Sequence, residues 1–338
     1  MTSAALPANK VAAVAIGRNE GDRLKRCLTS LTQQVARVVY VDSGSRDDSV
    51  AFARSLGVQV IELDMTRPFT AARARNAGYA ALMAGDPLPE YVQFVDGDCA
   101  VIDGWIAAAV AHLDAHTSLG LVTGWRAEIA PERSVYNAMC DFEWHRPAGA
   151  ITACGGDMMV RRFAFEAVGG LNPGLIAGED EEFCLRLGQA GWLLERLPLA
   201  MTSHDAAMTR FSEWWQRAVR AGHAFAQIGR MHPSHLRAER RRVALYGVAL
   251  PLLFLAGLLI ALVGGASLGL LLSVAVLAIY TLSWLRTMQG LTRNGLPVSK
   301  AAHHAVFLTL SKFPNLIGVL TFHSRRLRQR EMRLIEYK

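Results

Sequence analysis

The sequence predicts an α/β fold, a mostly parallel sheet with helices on both faces, followed by an α-helical membrane region. Two observations predict the first part. Between residues 11 and 96, short apolar runs alternate with stretches of helical spacing, and acidic residues collect where each run stops. A third predicts the rest: from Val243 to Leu285 there is no Asp, Glu, Lys, Arg or His, a stretch of 43 residues.

The elements follow in order. Val11–Ile16 is an apolar run ended by Gly17, and Leu24, Leu28 and Leu31 then recur at helical spacing. Val38–Val41 is a second strand that stops at Asp42 and the turn Ser43-Gly44-Ser45. Ser45 and Asp48 mark a helix start that Val50–Leu56 continues, and Val58–Leu63 reads as a third strand. Phe69–Met83 reads as a helix and Tyr91–Val95 as a fourth strand ending at Asp96. Ligands on such sheets bind beyond the carboxyl ends of the strands. Those ends carry Asn19, Glu20, Asp42, Asp96 and Asp98. A dinucleotide fold would place G-x-G-x-x-G after the first strand, where this chain has Gly17-Arg18-Asn19-Glu20-Gly21. No Walker phosphate loop is present either, so hydride transfer and P-loop phosphoryl transfer are disfavoured.

The net charge of +7 is unevenly placed. Residues 1–235 carry 22 Lys and Arg against 26 Asp and Glu, and residues 236–338 carry 14 against 3. A nucleic-acid binder more often shows a basic folded body, whereas a basic tail beside apolar runs suits an anionic membrane surface. The uncharged stretch divides at Gly264-Gly265-Ala266-Ser267, giving helices over 243–263 and 268–285. They would be about 31 and 27 Å long at ~1.5 Å per residue, close to the hydrocarbon thickness. Arg237, Arg240, Arg241 and Arg242 precede this hairpin, Arg286 and Arg293 follow it, and its turn is uncharged. The positive-inside rule places both ends in the cytoplasm. The third apolar stretch, 301–322, contains His303, His304, Lys312 and Pro314 and leads into a basic tail over 323–338. It reads as an interfacial helix on the inner leaflet, with a third spanning helix as the rival. The domain reading is a body over 1–235 and a membrane-anchoring region over 236–338, in the inner membrane, multi-pass, with a cytoplasmic body. The five cysteines have no C-x-x-C spacing, which argues against a disulfide framework or structural zinc and fits a reducing compartment.

Three constellations carry chemistry. In Tyr91–Asp98, two carboxylates flank Gly97 at a strand's end, a set that suits Mg2+ or Mn2+ held mainly by substrate phosphates; a plain Asp-Gly turn is the bland alternative. Gly178-Glu179-Asp180-Glu181-Glu182 opens a helix. Its acids complement the helix dipole, and Glu182 can pair with Arg186, but one acid can instead serve as a general base. His204, after the strand-like Trp192–Leu197, is either a packed residue or a third metal ligand.

Taken in order, these segments resemble family 2 glycosyltransferases with the GT-A fold, over roughly residues 10–225. VAIGRNEGDRLKRCLTSL resembles the opening strand–loop–helix, VVYVDSGSRDDSVAFAR the second unit and ARARNAGYAAL the third. YVQFVDGDC resembles the D-x-D segment, and the block from Gly155 to Trp192 resembles the acceptor side with its E-D motif. The resemblance implies donor binding by Asn19, Glu20, Asp42, Arg73, Asn76 and Asp96, and metal ligation by Asp98 and His204. It implies a sugar and acceptor pocket shaped by Gly155, Gly156, Asp157 and Glu179, with Asp180 as catalytic base. The implied reaction is inverting, with Mg2+ or Mn2+ as cofactor and a nucleotide-sugar as donor. Processive synthases of this family carry Q-x-x-R-W, but here Trp214 and Trp215 precede Arg217 and Arg220, which favours transfer of one sugar per encounter. Trp215, Arg217 and Arg220 are then candidates to meet a polyprenyl-diphosphate-linked glycan acceptor, as in exopolysaccharide or envelope assembly. The competing readings are a nucleotidyltransferase making nucleotide-sugars and a non-catalytic membrane-tethered subunit.

Overall fold

The computed structural model describes residues 6, 7 and 9–336, in two compact units, Met1–Ala207 and Met208–Lys338. The first unit is built on a nine-stranded sheet. Its strands are β1 (Val11–Gly17), β2 (Val38–Asp42), β3 (Gln59–Glu62), β4 (Tyr91–Asp96), β5 (Cys99–Val101), β6 (Leu119–Glu128), β7 (Gly149–Ala150), β8 (Met158–Arg161) and β9 (Leu193–His204). The order is β3-β2-β1-β4-β8-β6-β9-β5, with β7 on β9. Pairing is parallel from β3 to β4 and again between β6 and β9, while β8 runs antiparallel to both β4 and β6.

Helices α1 (Asp22–Thr32), α2 (Ser49–Ser55), α3 (Ala71–Met83), α4 (Trp105–Ala115), α5 (Val135–Trp144), α6 (Arg162–Ala167) and α7 (Glu179–Gln189) complete the unit. The unbroken apolar run of β1 has a direct cause. Val11, Ala13 and Ala15 join one core with Leu24 and Leu28 of α1 and Ile106 of α4. Ala12, Val14 and Ile16 join a second with Leu82 of α3 and Phe183 of α7. A strand buried on both faces cannot alternate with polar residues. The register then aligns the strand ends: Gly17 lies opposite Asp42, and Ile16 opposite Asp96.

Two local expectations change. Ser45 does not open α2; its N–H donates to Asp42 Oδ2 at 2.8 Å and its hydroxyl accepts from the Asn19 N–H at 2.9 Å. The third helix begins at Ala71, because the Thr70 hydroxyl accepts the Arg73 N–H at 3.1 Å and caps it.

The second unit comprises α8 (Phe211–Met231), α9 (Arg237–Ala244), α10 (Leu250–Leu262), α11 (Ala266–Arg293), α12 (Val298–Leu310) and α13 (Lys312–Leu327). One π-helical turn, Leu245–Ala249, joins α9 to α10 just ahead of Pro251. The wider turn accommodates the proline ring, and the Tyr280 hydroxyl donates to the Tyr246 carbonyl within it. Helices α10 and α11 meet through small residues: a Cβ on Gly257 would lie 2.6 Å from Ser273 Oγ, and one on Gly269 would lie 2.3 Å from Ala261 N. Leu252, Leu255, Leu259, Leu270 and Leu271 are exposed, a pattern suited to lipid.

Arg237–Leu262, Ala266–Arg293 and Val298–Leu327 are each long and apolar enough to cross a membrane. The third stretch is longer than the 22 residues expected for an interfacial helix, because α12 and α13 nearly abut at Ser311. Helix α13 also packs closely on α8. A Cβ on Gly318 would fall 2.0 Å from Val219 O, and one on Gly222 would fall 2.0 Å from Asn315 O. The residues 211–231 thus pack with the apolar helices in the second unit.

Candidate active site

The site is assembled at the carboxyl ends of β1, β2 and β4. Gly97 follows β4, and its N–H donates to Ile16 O at 2.7 Å. A Cβ there would lie 2.9 Å from the same oxygen, so a glycine is what lets the chain turn tightly against β1. Asp96 stands on the near side of this turn and Asp98 on the far side, before β5.

Asp96 is held by two guanidinium groups. Arg75, from α3, contacts Asp96 Oδ1 at 2.5 Å and Glu179 Oε1 at 2.7 Å with its side chain buried. Arg126, from β6, lies 3.5 Å from Asp96 Oδ2 and 2.8 Å from Asp157 Oδ2, and its guanidinium sits over the Trp144 ring. Asp157 is fully buried beneath them, accepting the Asp96 N–H at 2.9 Å and the Thr202 hydroxyl at 2.8 Å. From there it ties the end of β4 to β9 and holds Arg126.

Gly156 and Gly155 leave the space these groups need. A Cβ on Gly156 would fall 1.9 Å from Arg75 Nη2. One on Gly155 would lie 3.7 Å from Arg126 Nη2 and 3.9 Å from Asp180 Oδ2, so a cation and a carboxylate converge on the volume left by its missing side chain.

The four acids of α7 separate into roles. Glu179 is buried and paired with Arg75. Glu182 is buried and grips Arg186 with both oxygens, each contact 2.8 Å, which is the structural pairing its spacing allowed. Asp180 accepts the Glu181 N–H through Oδ1 at 2.8 Å. Burial, with the Glu179 charge beside it and Arg75 opposing, pushes its carboxyl up to about 7.

Asp98, Cys99 and His204 bring one ligand atom each within 4.8 Å of one another. Strand β5 pairs with β9 so that Cys99 lies opposite His204. His204 Nε2 is 3.3 Å from Asp98 Oδ1, and Nδ1 is 3.5 Å from Glu128 Oε2. Burial pushes the Cys99 thiol well up, leaving a carboxylate oxygen and an imidazole nitrogen as the effective donors. That oxygen and nitrogen set fits Mg2+ or Mn2+.

At β1 and β2, the Asp42 carboxylate accepts the Tyr40 hydroxyl at 2.8 Å and the N–H groups of Gly44 and Ser45. Asn19 has φ +55°, and its Oδ1 accepts the Arg46 N–H at 2.7 Å, tying the two loops together. Glu20 pairs with Arg23 at 2.8 Å. Arg73 and Asn76 brace loops: Arg73 donates to the carbonyls of Asp64, Arg67 and Pro68, and Asn76 exchanges two hydrogen bonds with Leu171. Trp215, Arg217 and Arg220 lie on α8 of the second unit, where Trp215 packs on Phe211 and Trp214. Sequence reasoning missed Arg75, Arg126, Glu128 and Thr202. Arg75 alone had a signal, as the arginine between Arg73 and Asn76, two residues from Arg73 and so on a different helix face.

Residues 14–169 match the glycosyl transferase family 2 profile. A pre-mycofactocin glycosyltransferase of Mycobacterium tuberculosis is 27% identical over 232 residues, 64% of this chain and 47% of that protein. The chain thus spans about half the length of that curated relative. An uncharacterized glycosyltransferase of Rickettsia felis is 44% identical over 52 residues, 15% of this chain and 18% of its own length. A mannosyltransferase of Pyrobaculum calidifontis, solved with GDP-Man and Mn2+, superposes with a TM-score of 0.55 at 19% identity, covering 95% of this chain and 88% of that one. That likeness speaks to the fold, which is GT-A. Residues 14–169, somewhat under half of the chain, thus carry a likeness to glycosyl transferase family 2.

Proposed function

We propose that the chain is an inverting, divalent-metal-dependent glycosyltransferase. It moves one sugar from a nucleotide-sugar to a hydroxyl of a membrane-associated acceptor, a polyprenyl-diphosphate-linked glycan, at the cytoplasmic face. The observation that carries the reading is the convergence of Asp180 Oδ2 and Arg126 on the volume over Gly155, beside the Asp96 carboxylate that Arg126 also contacts. The family likeness supports glycosyl transfer, and the Mn2+ in the mannosyltransferase complex supports a divalent ion.

Asp98 and His204 would hold the ion, which when bound neutralises charge on the departing nucleoside diphosphate. Asp180 takes the proton of the acceptor hydroxyl as that oxygen attacks the anomeric carbon. Arg75 keeps Glu179 and Asp96 in place, so that Asp180 is the acid of the pair left to face the pocket. With a single attack and no protein nucleophile, the anomeric configuration inverts. NMR of the product is expected to show the anomer opposite to the donor's; retention would exclude a single back-side displacement and overturn this mechanism.

The membrane reading is a hairpin, Arg237–Leu262 and Ala266–Arg293, with α13 on the inner leaflet. Helix α13 packs along α8, which carries Glu213, Arg217, Arg220 and Arg230, a surface suited to headgroups and not to hydrocarbon. In sealed right-side-out cells, a cysteine placed at Ser267 should react with an impermeant maleimide and one at Ser324 should not. Reaction at Ser324 would contradict this topology.

A further inference from the structure

We infer that Glu128 is a positioning residue that fixes the tautomer and orientation of His204, so that Nε2 faces the ion site beside Asp98. This rests on the metal reading above. The sheet register places Glu128 of β6 opposite His204 of β9, with Cys99 of β5 opposite the same histidine on its other side. Around the imidazole, Asp98 Oδ1 is 3.3 Å from Nε2, Glu128 Oε2 is 3.5 Å from Nδ1, and the Trp144 ring meets it edge-on with centroids 4.5 Å apart.

The Glu128 side chain is wholly buried, and among the described residues its ion-pair partner is His204. It is also rigidly held. Oε1 accepts Asn137 Nδ2 at 3.1 Å and the Ala130 N–H at 3.3 Å, and Oε2 accepts the Ala206 N–H at 2.9 Å. Asn137 is itself fully buried and also donates to Ala130 O at 3.1 Å. A neutral imidazole that offers Nε2 to an ion must carry its proton on Nδ1, and that proton needs an acceptor. Glu128 Oε2 is the acceptor the fold supplies. Such outer partners typically contribute a factor of about 10–100 in metal affinity.

The test measures Mn2+ binding to the full chain in detergent micelles, by the EPR signal of free Mn2+. The proteins are wild type, Glu128→Gln, His204→Ala and the double variant. Glu128→Gln is expected to weaken binding by about 10–100-fold, and the double variant to bind no more weakly than His204→Ala alone. A Glu128→Gln protein with wild-type affinity, or losses that multiply in the double variant, would overturn the inference. Wild type that binds no Mn2+ would instead defeat the metal reading itself, and this inference with it. Should Glu128→Gln fail to fold, 15N-histidine NMR of wild type saturated with diamagnetic Mg2+ decides. A proton on Nδ1 of His204 with Nε2 unprotonated is expected, and a proton on Nε2 would contradict the inference.

Discussion

Replacing Asp180 with Asn should lower the transfer rate by about 10²–10⁴-fold while leaving donor affinity near wild type. Asn keeps the size of the carboxyl group and can still accept the Glu181 N–H, but it cannot take a proton. In the proposed mechanism the donor's diphosphate lies on the Asp98 and His204 side of the site, so its binding should survive. The same carboxyl gives a pH signature. Burial beside Glu179 raises it to about 7, and a base works only when deprotonated. The kcat/KM of wild type should therefore rise with pH through about 7 and level off above it, and the residual activity of Asp180→Asn should lack that step. Glu182→Gln disturbs a structural pair with Arg186 and should act on stability more than on rate. A wild-type transfer rate in Asp180→Asn would remove the assignment.

Asp98→Ala should abolish metal-dependent donor binding with the sheet intact. The side chain lies on the turn after β4, outside the hydrogen-bonded strand pairs, so its removal leaves the pairing of β1, β4 and β8 unaltered. It takes from the cluster its one carboxylate ligand and leaves His204 and a protonated Cys99. Titration of the correct nucleotide-sugar with and without Mn2+ is the measurement. Affinity that responds to Mn2+ equally in the variant and in wild type would show that the ion sits elsewhere.

Much of this architecture was legible because it is local. The run Val11–Ile16 reads as a doubly buried strand without knowledge of its neighbours, and the alternation up to Asp96 follows from spacing and turn residues. The Glu182–Arg186 pair is likewise written in its spacing. What escaped depends on contacts between distant segments. Arg126 and Glu128 stand in a strand whose partners are β8 and β9, and nothing near them in the sequence shows that they will face Asp157 and His204. Arg73 and Asn76, for which the resemblance implied donor contacts, give side-chain donors to backbone carbonyls of neighbouring loops, while Arg75 turns inward to Asp96 and Glu179. The third apolar segment, expected over 301–322, runs from Val298 to Leu327 because the helix continues on both sides into polar residues, Ser299 and Lys300 before it and His323 to Arg326 after it, where apolarity no longer marks it.

The most direct test of glycosyl transfer at this site is a membrane assay. Membranes containing wild type, Asp98→Ala or Asp180→Asn are incubated with Mn2+ and a panel of labelled nucleotide-sugars, and the lipid extract is counted. One donor should label the lipid fraction with wild type, and both variants should lose this labelling. Label entering the lipid fraction equally with all three proteins would contradict it.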